Sequence, residues 1–154
     1  MSTPPPLRWE RDGYLVSTDP AQLDLDAIHG YVARSYWAAG IPRATLARAV
    51  ANSLCFGLYR DAAQVGLARV VTDCATFAYL ADVYVLEAHR GRSLGKWLID
   101  CVQRHPDLQG LRRAMLATRD AHGLYRQFGY TALAHPERLM EIVRPDLYSR
   151  PSDY

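Results

Sequence analysis

The chain of 154 residues has few cysteines, and their spacing excludes the usual cysteine-based sites. Cys55, Cys74 and Cys101 form no C-x-x-C pair and have no companion pair of histidines. The sequence therefore predicts neither a disulfide framework nor a zinc site, and we expect free thiols and no metal. Cys101 falls on the apolar face of a predicted helix, where we expect an inert buried thiol.

Long apolar runs and an excess of charge of one sign are also lacking. No run approaches the roughly 18 apolar residues of a membrane span, and the prolines of MSTPPP interrupt the place where a signal peptide needs a continuous apolar stretch. The formal net charge of +2 is not concentrated in a basic patch. We therefore expect a cytoplasmic protein that binds neither a membrane nor nucleic acid.

The composition is that of an ordinary globular protein. Apolar residues make up 49% of the chain and charged residues 22%, which is enough to bury a substantial core. At this length one domain is expected, since single cores grow to about 100–200 residues before they split. We assign the domain to residues 7–148 and treat 1–6 and 149–154 as tails.

Hydrophobic periodicity and turn residues divide the chain into alternating elements. The predicted strands are 13–18, 54–59, 64–72, 76–86, 112–119 and 137–144, and the predicted helices are 25–38, 42–52, a helix from Leu94 to about His105, and 121–129. The strand at 76–86 is apolar on both faces, which indicates a central strand covered on each side.

The stretch HRGRSLGKWLI, residues 89–99, places glycines and basic residues where a helix begins after a strand. The first N–H groups of a helix lack partners within the helix, and the helix dipole adds partial positive charge there, so such a turn can bind an anion. Arg90, Arg92 and Lys96 would add charge suited to a pyrophosphate. From spacing alone, a solvated helix start explains the pattern equally well.

Residues 77–130 as a whole resemble the GNAT acyltransferase superfamily, whose members transfer an acyl group from coenzyme A to an amine. The family's pyrophosphate signature is Gln or Arg, two residues, Gly, one residue, and then Gly or Ala. The corresponding residues here are Arg90, the spacers Gly91 and Arg92, Ser93 in place of the first glycine, the spacer Leu94, and Gly95. Ser93 is the one departure, because it lacks the freedom of glycine at positive φ.

The resemblance also assigns a role to the strand that precedes this turn. In the family, the central strand splays from the next strand and leaves unpaired backbone groups to hold the pantetheine arm and the thioester carbonyl. Carried over, these groups belong to Val83, Tyr84 and Val85. A backbone N–H aimed at the thioester oxygen would stabilise the developing oxyanion by roughly 3 kcal/mol.

Tyr125 lies in the segment LYRQFGY, which resembles the family's second cofactor segment. The resemblance implies that Tyr125 protonates the departing thiolate of coenzyme A. An unperturbed tyrosine pKa near 10 suits this role, because a thiol of pKa about 8.5 leaves. The alternative is that the ring only packs in the core.

Asp82 is an isolated carboxylate in the apolar central strand, and by alternation it faces opposite Val83 and Val85. An attacking amine of pKa near 10.4 must be neutral, which costs roughly 4 kcal/mol at neutral pH unless a base assists. Asp82 is therefore a candidate base acting through a water, or an anchor for the incoming ammonium. Equally, an arginine or backbone N–H groups could hold it as a structural carboxylate.

The candidate acceptor contacts are less specific. Tyr36 and Trp37 precede the Gly40-Ile41-Pro42 turn, a region that in the family borders the acceptor pocket, and aromatic faces there can hold a cation. Core packing is the alternative for both rings. Asp73, Arg119, Asp120 and His122 lie at predicted strand ends and are further candidates for contacts or for a second base.

Together, the residues and the resemblance predict an α/β (α+β) fold with a mixed, mostly antiparallel central sheet flanked by helices on both faces. The expected activity is transfer of an acetyl group from acetyl-CoA to a small-molecule or peptide amine, by direct attack in a ternary complex. A homodimer is a further expectation. The alternative is a non-catalytic coenzyme A sensor or interaction module, which the altered Ser93 position favours.

Overall fold

The structure is a computed structural model that describes residues 5–149. The strands in that range are β1 (Arg8–Arg11), β2 (Tyr14–Ser17), β3 (Leu54–Arg60), β4 (Ala63–Thr72), β5 (Phe77–Val85) and β6 (Arg113–Leu116). The α-helices are α1 (Leu25–Val32), α2 (Arg43–Ala51), α3 (Leu94–Arg104) and α4 (His122–Arg126).

The strands form one six-stranded sheet in the order β1-β2-β3-β4-β5-β6. Neighbours from β1 to β5 are antiparallel, whereas β5 and β6 are parallel. A parallel pair needs a long crossover connection, and α3 lies in that connection. The predicted mixed, mostly antiparallel sheet is therefore confirmed.

Helices cover both faces of the sheet. On one face, α3 and α4 close a core that contains Phe56, Leu98 and Ile99, while on the other face α1 and α2 pack Ile28 and Leu46 onto the sheet. Burial of each apolar side chain stabilises the fold by roughly 1.5–3 kcal/mol relative to exposure. The prediction of helices on both faces is confirmed.

The helix α3 shows how the sequence produces this arrangement. Leu94, Leu98, Cys101 and Val102 are all buried, because residues at this spacing lie on one side of a helix. Trp97 packs at the edge of the same core. Burial raises the pKa of the Cys101 thiol to about 12, which keeps the thiol protonated and unreactive, as expected.

A bulge in β5 sets the direction of the side chains near the site. The register against β4 shifts between Leu67 and Arg69, and Asp82 has a φ of 51°. Leu80 packs in the α3 core before the bulge, and Val83 packs there after it. The extra residue thus interrupts strict alternation, so that Leu80 and Val83, three positions apart, lie on the same side of the sheet.

Several predicted boundaries are wrong. The first helix ends at Val32 instead of Ala38, because the N–H of Ser35 donates to the Val32 carbonyl and closes a turn. Strand β1 was missed. Residues 137–144 form no strand, and only a short 3-10 turn, Pro136–Arg138, occurs there.

Residues 5–149 contain neither a membrane-spanning helix nor a cluster of metal-binding side chains. None of the helices in this range has the length and apolar character needed to cross a bilayer. The same range brings no three His, Cys, Asp or Glu side chains close enough to bind a metal ion. The expected tails at 1–6 and 149–154 lie largely outside the described residues.

Candidate active site

A cleft opens where β5 and β6 separate. Strand β6 pairs with β5 only from Phe77 to Leu80, whereas β5 continues to Val85. The cleft has a volume of about 520 Å³. It is lined by Tyr36, Trp37, Ala38, Ile41, Arg69, Tyr79, Leu80, Ala81, Asp82, Val83, Leu116, Ala117, Thr118, Arg119, Asp120, Ala121, Tyr125 and Tyr148.

The pairing of β4 with β5 determines which backbone groups face this opening. The Leu86 N–H donates to the Val65 carbonyl at 2.8 Å. Alternation along this antiparallel ladder then directs the N–H and C=O of Tyr84 toward β4 and those of Val85 away from β4. The Val85 carbonyl accepts a hydrogen bond from Arg90 Nε, and the role of the Val83, Tyr84 and Val85 backbone toward coenzyme A stays a prediction.

Tyr84 has a structural role instead. Its side chain is buried, and its ring stacks on that of Tyr31 with the ring centroids 4.0 Å apart. This stack joins the end of β5 to α1. Burial raises the pKa of the Tyr84 hydroxyl, so this group stays neutral.

The glycine turn lies at the end of β5, directly before α3. Gly91 has a φ of 83°, and a Cβ added at Gly91 or Gly95 would meet no atom within 4 Å. Ser93 occupies the N-cap position, yet its side chain makes no capping hydrogen bond. The first N–H groups of α3, from Leu94 to Lys96, thus face open space and fit an anion.

Ser93 adopts the left-handed conformation, with a φ of 59° and a ψ of 24°. This is the position where the family signature has glycine. The backbone of this chain therefore keeps the glycine-type geometry although the residue is serine, at a conformational cost of roughly 1–2 kcal/mol.

The basic residues of the turn differ in their contacts. Arg90 does not point its guanidinium into the turn, because Nε donates to the Val85 carbonyl at 2.9 Å and Nη2 donates to the Tyr31 hydroxyl at 3.1 Å. Arg92 and Lys96 are exposed beside the start of α3. Of the three predicted cations, these two are available to a pyrophosphate.

Asp82 is held by two short hydrogen bonds. Trp37 Nε1 donates to Oδ1 at 2.7 Å, and Arg69 Nε donates to Oδ2 at 2.7 Å. The side chain of Asp82 is 5% exposed and that of Arg69 17%, so the ion pair is largely shielded from water. Of the alternatives left open by the sequence, the structure shows the carboxylate held by an arginine.

Tyr125 lies on α4 and is buried, with its ring edge-on to Tyr130 at 5.9 Å. It also lines the cleft together with Asp82 and Val83. Burial raises the pKa of the Tyr125 hydroxyl to about 12. The side chain therefore combines core packing with a protonated hydroxyl at the cleft.

Tyr36, Arg119 and Asp120 come together at the other side of the cleft. The guanidinium of Arg119 lies 4.0 Å from the centroid of the Tyr36 ring, and the Arg119 N–H donates to the Tyr36 hydroxyl at 3.1 Å. The face of Tyr36 thus already contacts a cation of the protein itself. Trp37, edge-on to Tyr36, uses its N–H on Asp82.

Asp73 and His122, two of the predicted acceptor contacts, do not line the cleft. The Asp73 carboxylate accepts the Thr76 hydroxyl and the backbone N–H groups of Thr76, Ala75 and Phe77 within its own turn, and these bonds hold its pKa well below the usual range. His122 is exposed at the first position of α4. Asp73 and His122 were predicted as acceptor contacts because of their residue type and their position at strand ends. Residues of the same types also form turns or lie on the surface at such positions.

The sequence analysis missed Arg69 and Tyr148. Arg69 is a lone cation in the apolar strand β4, just as Asp82 is a lone anion in β5, and two isolated opposite charges on adjacent strands predict an ion pair. Tyr148 lines the cleft from the C-terminal segment and packs against the α1 core. It carries no comparable signal in the sequence.

Known proteins resemble this chain in sequence and in fold. A profile of the acetyltransferase (GNAT) domain matches residues 51–132. A protein from Gibberella zeae that is provisionally named an acetyltransferase is 40% identical in an alignment of 143 residues, covering 78% of this chain and 80% of that protein.

Solved structures of acetyltransferase-like proteins also resemble this chain. A crystal structure of a GNAT-family protein from Xanthomonas campestris pv. campestris, provisionally an acetyltransferase, superimposes with a TM-score of 0.87 and 53% identity, covering 89% of this chain and 97% of that one. An acetyltransferase-like protein from Clostridium acetobutylicum, solved with acetyl-CoA, shares the fold at a TM-score of 0.61 and 12% identity, covering 84% and 94% of the two chains. The chain described here belongs to the GNAT family of acetyltransferases.

Proposed function

We propose that this protein transfers an acetyl group from acetyl-CoA to a primary amine by direct attack in a ternary complex. The observation that carries the proposal is one cleft shared by three features. Val83, Tyr125 and Asp82 all line it. The anion-binding turn lies at the end of the same strand.

Acetyl-CoA, when bound, supplies an acetyl group activated as a thioester. The N–H groups at the start of α3 and the side chains of Arg92 and Lys96 would hold its pyrophosphate. The open space beside Gly91 and Gly95 supports this assignment, since close approach of phosphate to the backbone needs such room. The backbone of Val83 and the N–H of Val85 would hold the pantetheine arm, since the Val85 carbonyl already accepts Arg90 Nε.

Val83 is the residue best placed to polarise the thioester carbonyl. Val83 lines the cleft at the bulge of β5, and we assign its backbone N–H to the thioester oxygen. An N–H fixed in this way needs no reorganisation as negative charge develops on the oxygen. Removal of one such donor typically costs about 2.7–4 kcal/mol in barrier height.

Tyr125 is the proposed general acid. With a pKa of about 12, its hydroxyl keeps its proton at neutral pH. As the neutral amine nitrogen bonds to the acetyl carbon and the carbon–sulfur bond breaks, Tyr125 Oη donates its proton to the departing sulfur, and the proton that the nitrogen loses passes to solvent, from which Tyr125 recovers its own. A thiol of ordinary pKa about 8.5 retains that proton at neutral pH.

Asp82 is proposed to hold the incoming amine. A carboxylate offers about four lone-pair sites, and Trp37 and Arg69 use one on each oxygen. The remaining sites can accept hydrogen bonds from the N–H groups of the acceptor, which binds as an ammonium and gives a proton to solvent before it attacks as the neutral amine. Because Arg69 neutralises Asp82, we assign the carboxylate an orienting role rather than that of a strong base.

The test is a screen of amine acceptors with acetyl-CoA that measures release of free thiol, followed by Tyr125→Phe on the best acceptor. This variant keeps the ring and should lower kcat by about 10²- to 10⁴-fold, with little change in acetyl-CoA affinity or melting temperature. Tyr79→Phe is the matched control, because Tyr79 lines the same cleft. An unchanged kcat for Tyr125→Phe would remove the acid role.

The same experiment separates an enzyme from a coenzyme A-binding module. One contact favours the non-catalytic module. Arg90 Nε already donates to the Val85 carbonyl, which would otherwise be open to the pantetheine arm. Calorimetric binding of acetyl-CoA without turnover on any amine would support a sensor or interaction module. The absence of binding to folded protein would contradict both functions.

A further inference from the structure

The charged side chains that line the cleft are balanced in sign. Of the described lining residues, four are charged: Arg69, Asp82, Arg119 and Asp120. Arg69 and Asp82 pair with each other in a shielded position. The side chains of Arg119 and Asp120 are 65% and 69% exposed, and their closest charged atoms are 3.8 Å apart. An exposed pair of this kind contributes little, so the Arg119 guanidinium can exchange Asp120 for a ligand.

The aromatic ring of Tyr36 holds Arg119 in place. The guanidinium carbon lies 4.0 Å from the ring centroid, and the backbone N–H of Arg119 donates to the Tyr36 hydroxyl at 3.1 Å. A guanidinium that stacks on a ring uses its flat face and keeps its N–H donors free in the plane. Among residues 5–149, these side-chain donors form no hydrogen bond with another residue. Arg119 is therefore a positioned cation with open donors.

Exposed aromatic side chains lie between Arg119 and Asp82. Tyr36 and Trp37 are edge-on to each other, with ring centroids 5.1 Å apart, and Trp37 Nε1 donates to Asp82. The two rings thus form one wall that leads from the guanidinium to the carboxylate. Tyr36 and Trp37 are exposed although they line the cleft, and so is Tyr79. Exposed aromatic rings grouped in a cleft are typical of a site for an apolar ligand.

We propose that the acceptor amine also carries a carboxylate, which binds Arg119, and an apolar body, which lies against Tyr36 and Trp37. This inference rests on the proposed acetyl transfer, because it uses Asp82 as the site of the amine. One guanidinium offers two parallel N–H donors and a single charge, which match the two oxygens and the single charge of a carboxylate. The acceptor is thus an amino acid in the broad sense, either an α-amino acid or one whose apolar body separates the two groups.

The charges of the cleft fit such a zwitterion better than they fit a polyamine. A polyamine presents several ammonium groups, whereas Asp120 is the only described lining carboxylate besides Asp82, and it lies beside Arg119. Arg119 would repel a second ammonium group at that end of the cleft, since like charges in contact are unfavourable. A zwitterion meets a charge of opposite sign at each end.

The first test measures the binding of a carboxylate that cannot be acetylated. Hydrocinnamate has the apolar body and the carboxylate but no amine, and hydrocinnamide is its neutral analogue. In calorimetry, hydrocinnamate should bind about tenfold or more tightly than the amide, as expected for hydrogen bonds to a charged group. Arg119→Gln should abolish this difference. Equal affinities in the wild type, or a difference that persists in Arg119→Gln, would overturn the proposal.

Arg126→Gln is the matched control for Arg119→Gln. It removes the same charge at an exposed position of α4 that does not line the cleft. The preference for hydrocinnamate should therefore stay as in the wild type. An equal loss in both variants would assign the effect to the overall charge of the protein and would contradict a site at Arg119.

The second test measures turnover on two pairs of acceptors that differ only in the carboxylate. The pairs are phenylalanine with phenylethylamine and para-aminomethylbenzoate with benzylamine. In at least one pair, kcat/KM should be about tenfold or more higher for the carboxylated member; the first pair would indicate an α-amino acid and the second a body that separates the groups. Arg119→Gln should raise KM for the preferred acceptor with little change in kcat, because the contact is the same before and during the reaction.

The two tests separate this inference from the proposed function. Binding of hydrocinnamate that depends on Arg119, without thiol release on any amine, would support the carboxylate site and contradict acetyl transfer. Equal turnover of the two members of each pair would support acetyl transfer and overturn the carboxylate site.

Discussion

Ser93→Gly tests whether the turn before α3 carries conformational cost. Ser93 is exposed and left-handed, with a φ of 59°, and its side chain caps nothing. Relief of the left-handed conformation should stabilise the protein by about 1–2 kcal/mol. The extra entropy of glycine in the unfolded chain offsets about 0.5–1 kcal/mol of this gain.

The net gain in the free energy of unfolding is therefore about 0.5–1 kcal/mol. For a chain of this length, it should raise the melting temperature by about 1–4 °C. The assay is urea denaturation together with calorimetry. Ser93→Ala is the control, because it removes the hydroxyl but keeps the Cβ, and its stability should stay within about 0.5 kcal/mol of wild type.

Gly91→Ala, in the same turn, should lower the free energy of unfolding, whereas Ser93→Gly should raise it. Gly91 has a φ of 83° and open space around it, so the added methyl group costs conformational energy and meets no steric clash. We expect a loss of about 1 kcal/mol. Equal stability of Ser93→Gly and Ser93→Ala, or no loss for Gly91→Ala, would refute the reasoning.

Three further predictions concern buried polar groups. Arg69→Met should destabilise the protein by about 3–5 kcal/mol in urea denaturation, because Asp82 is left buried without its partner. Adding Asp82→Asn should recover part of that loss, and simple additivity would contradict the ion pair. Burial lowers the pKa of His105 below its ordinary 6.5, so its contribution to stability should be lost as the pH falls below 6.5; an NMR titration midpoint at or above 6.5 would contradict this. Tyr59→Phe should raise the free energy of unfolding by about 1 kcal/mol, since the buried hydroxyl has no partner among residues 5–149, and a loss of stability would show that it has one.

Local sequence patterns were sufficient to predict the elements that depend only on residues close together in the chain. The buried face of α3 follows from apolar residues at helical spacing. The apolar character of β5 on both sides correctly indicates a strand with helices over each face. The glycine turn at the start of α3 was also predictable, because glycines and the helix start are adjacent in the chain.

Only the tertiary structure decided how these parts meet. The bulge at Asp82 depends on the register with β4, and the choice between a base and an ion-paired carboxylate depends on Arg69 from that strand. Arg90 turns away from the turn because Val85 and Tyr31 offer acceptors. A strand-like sequence at 137–144 stays unpaired, since pairing requires an edge that the segment cannot supply by itself. The sequence by itself thus determined periodicity and turns, whereas contacts between residues far apart in the chain depend on the folded geometry.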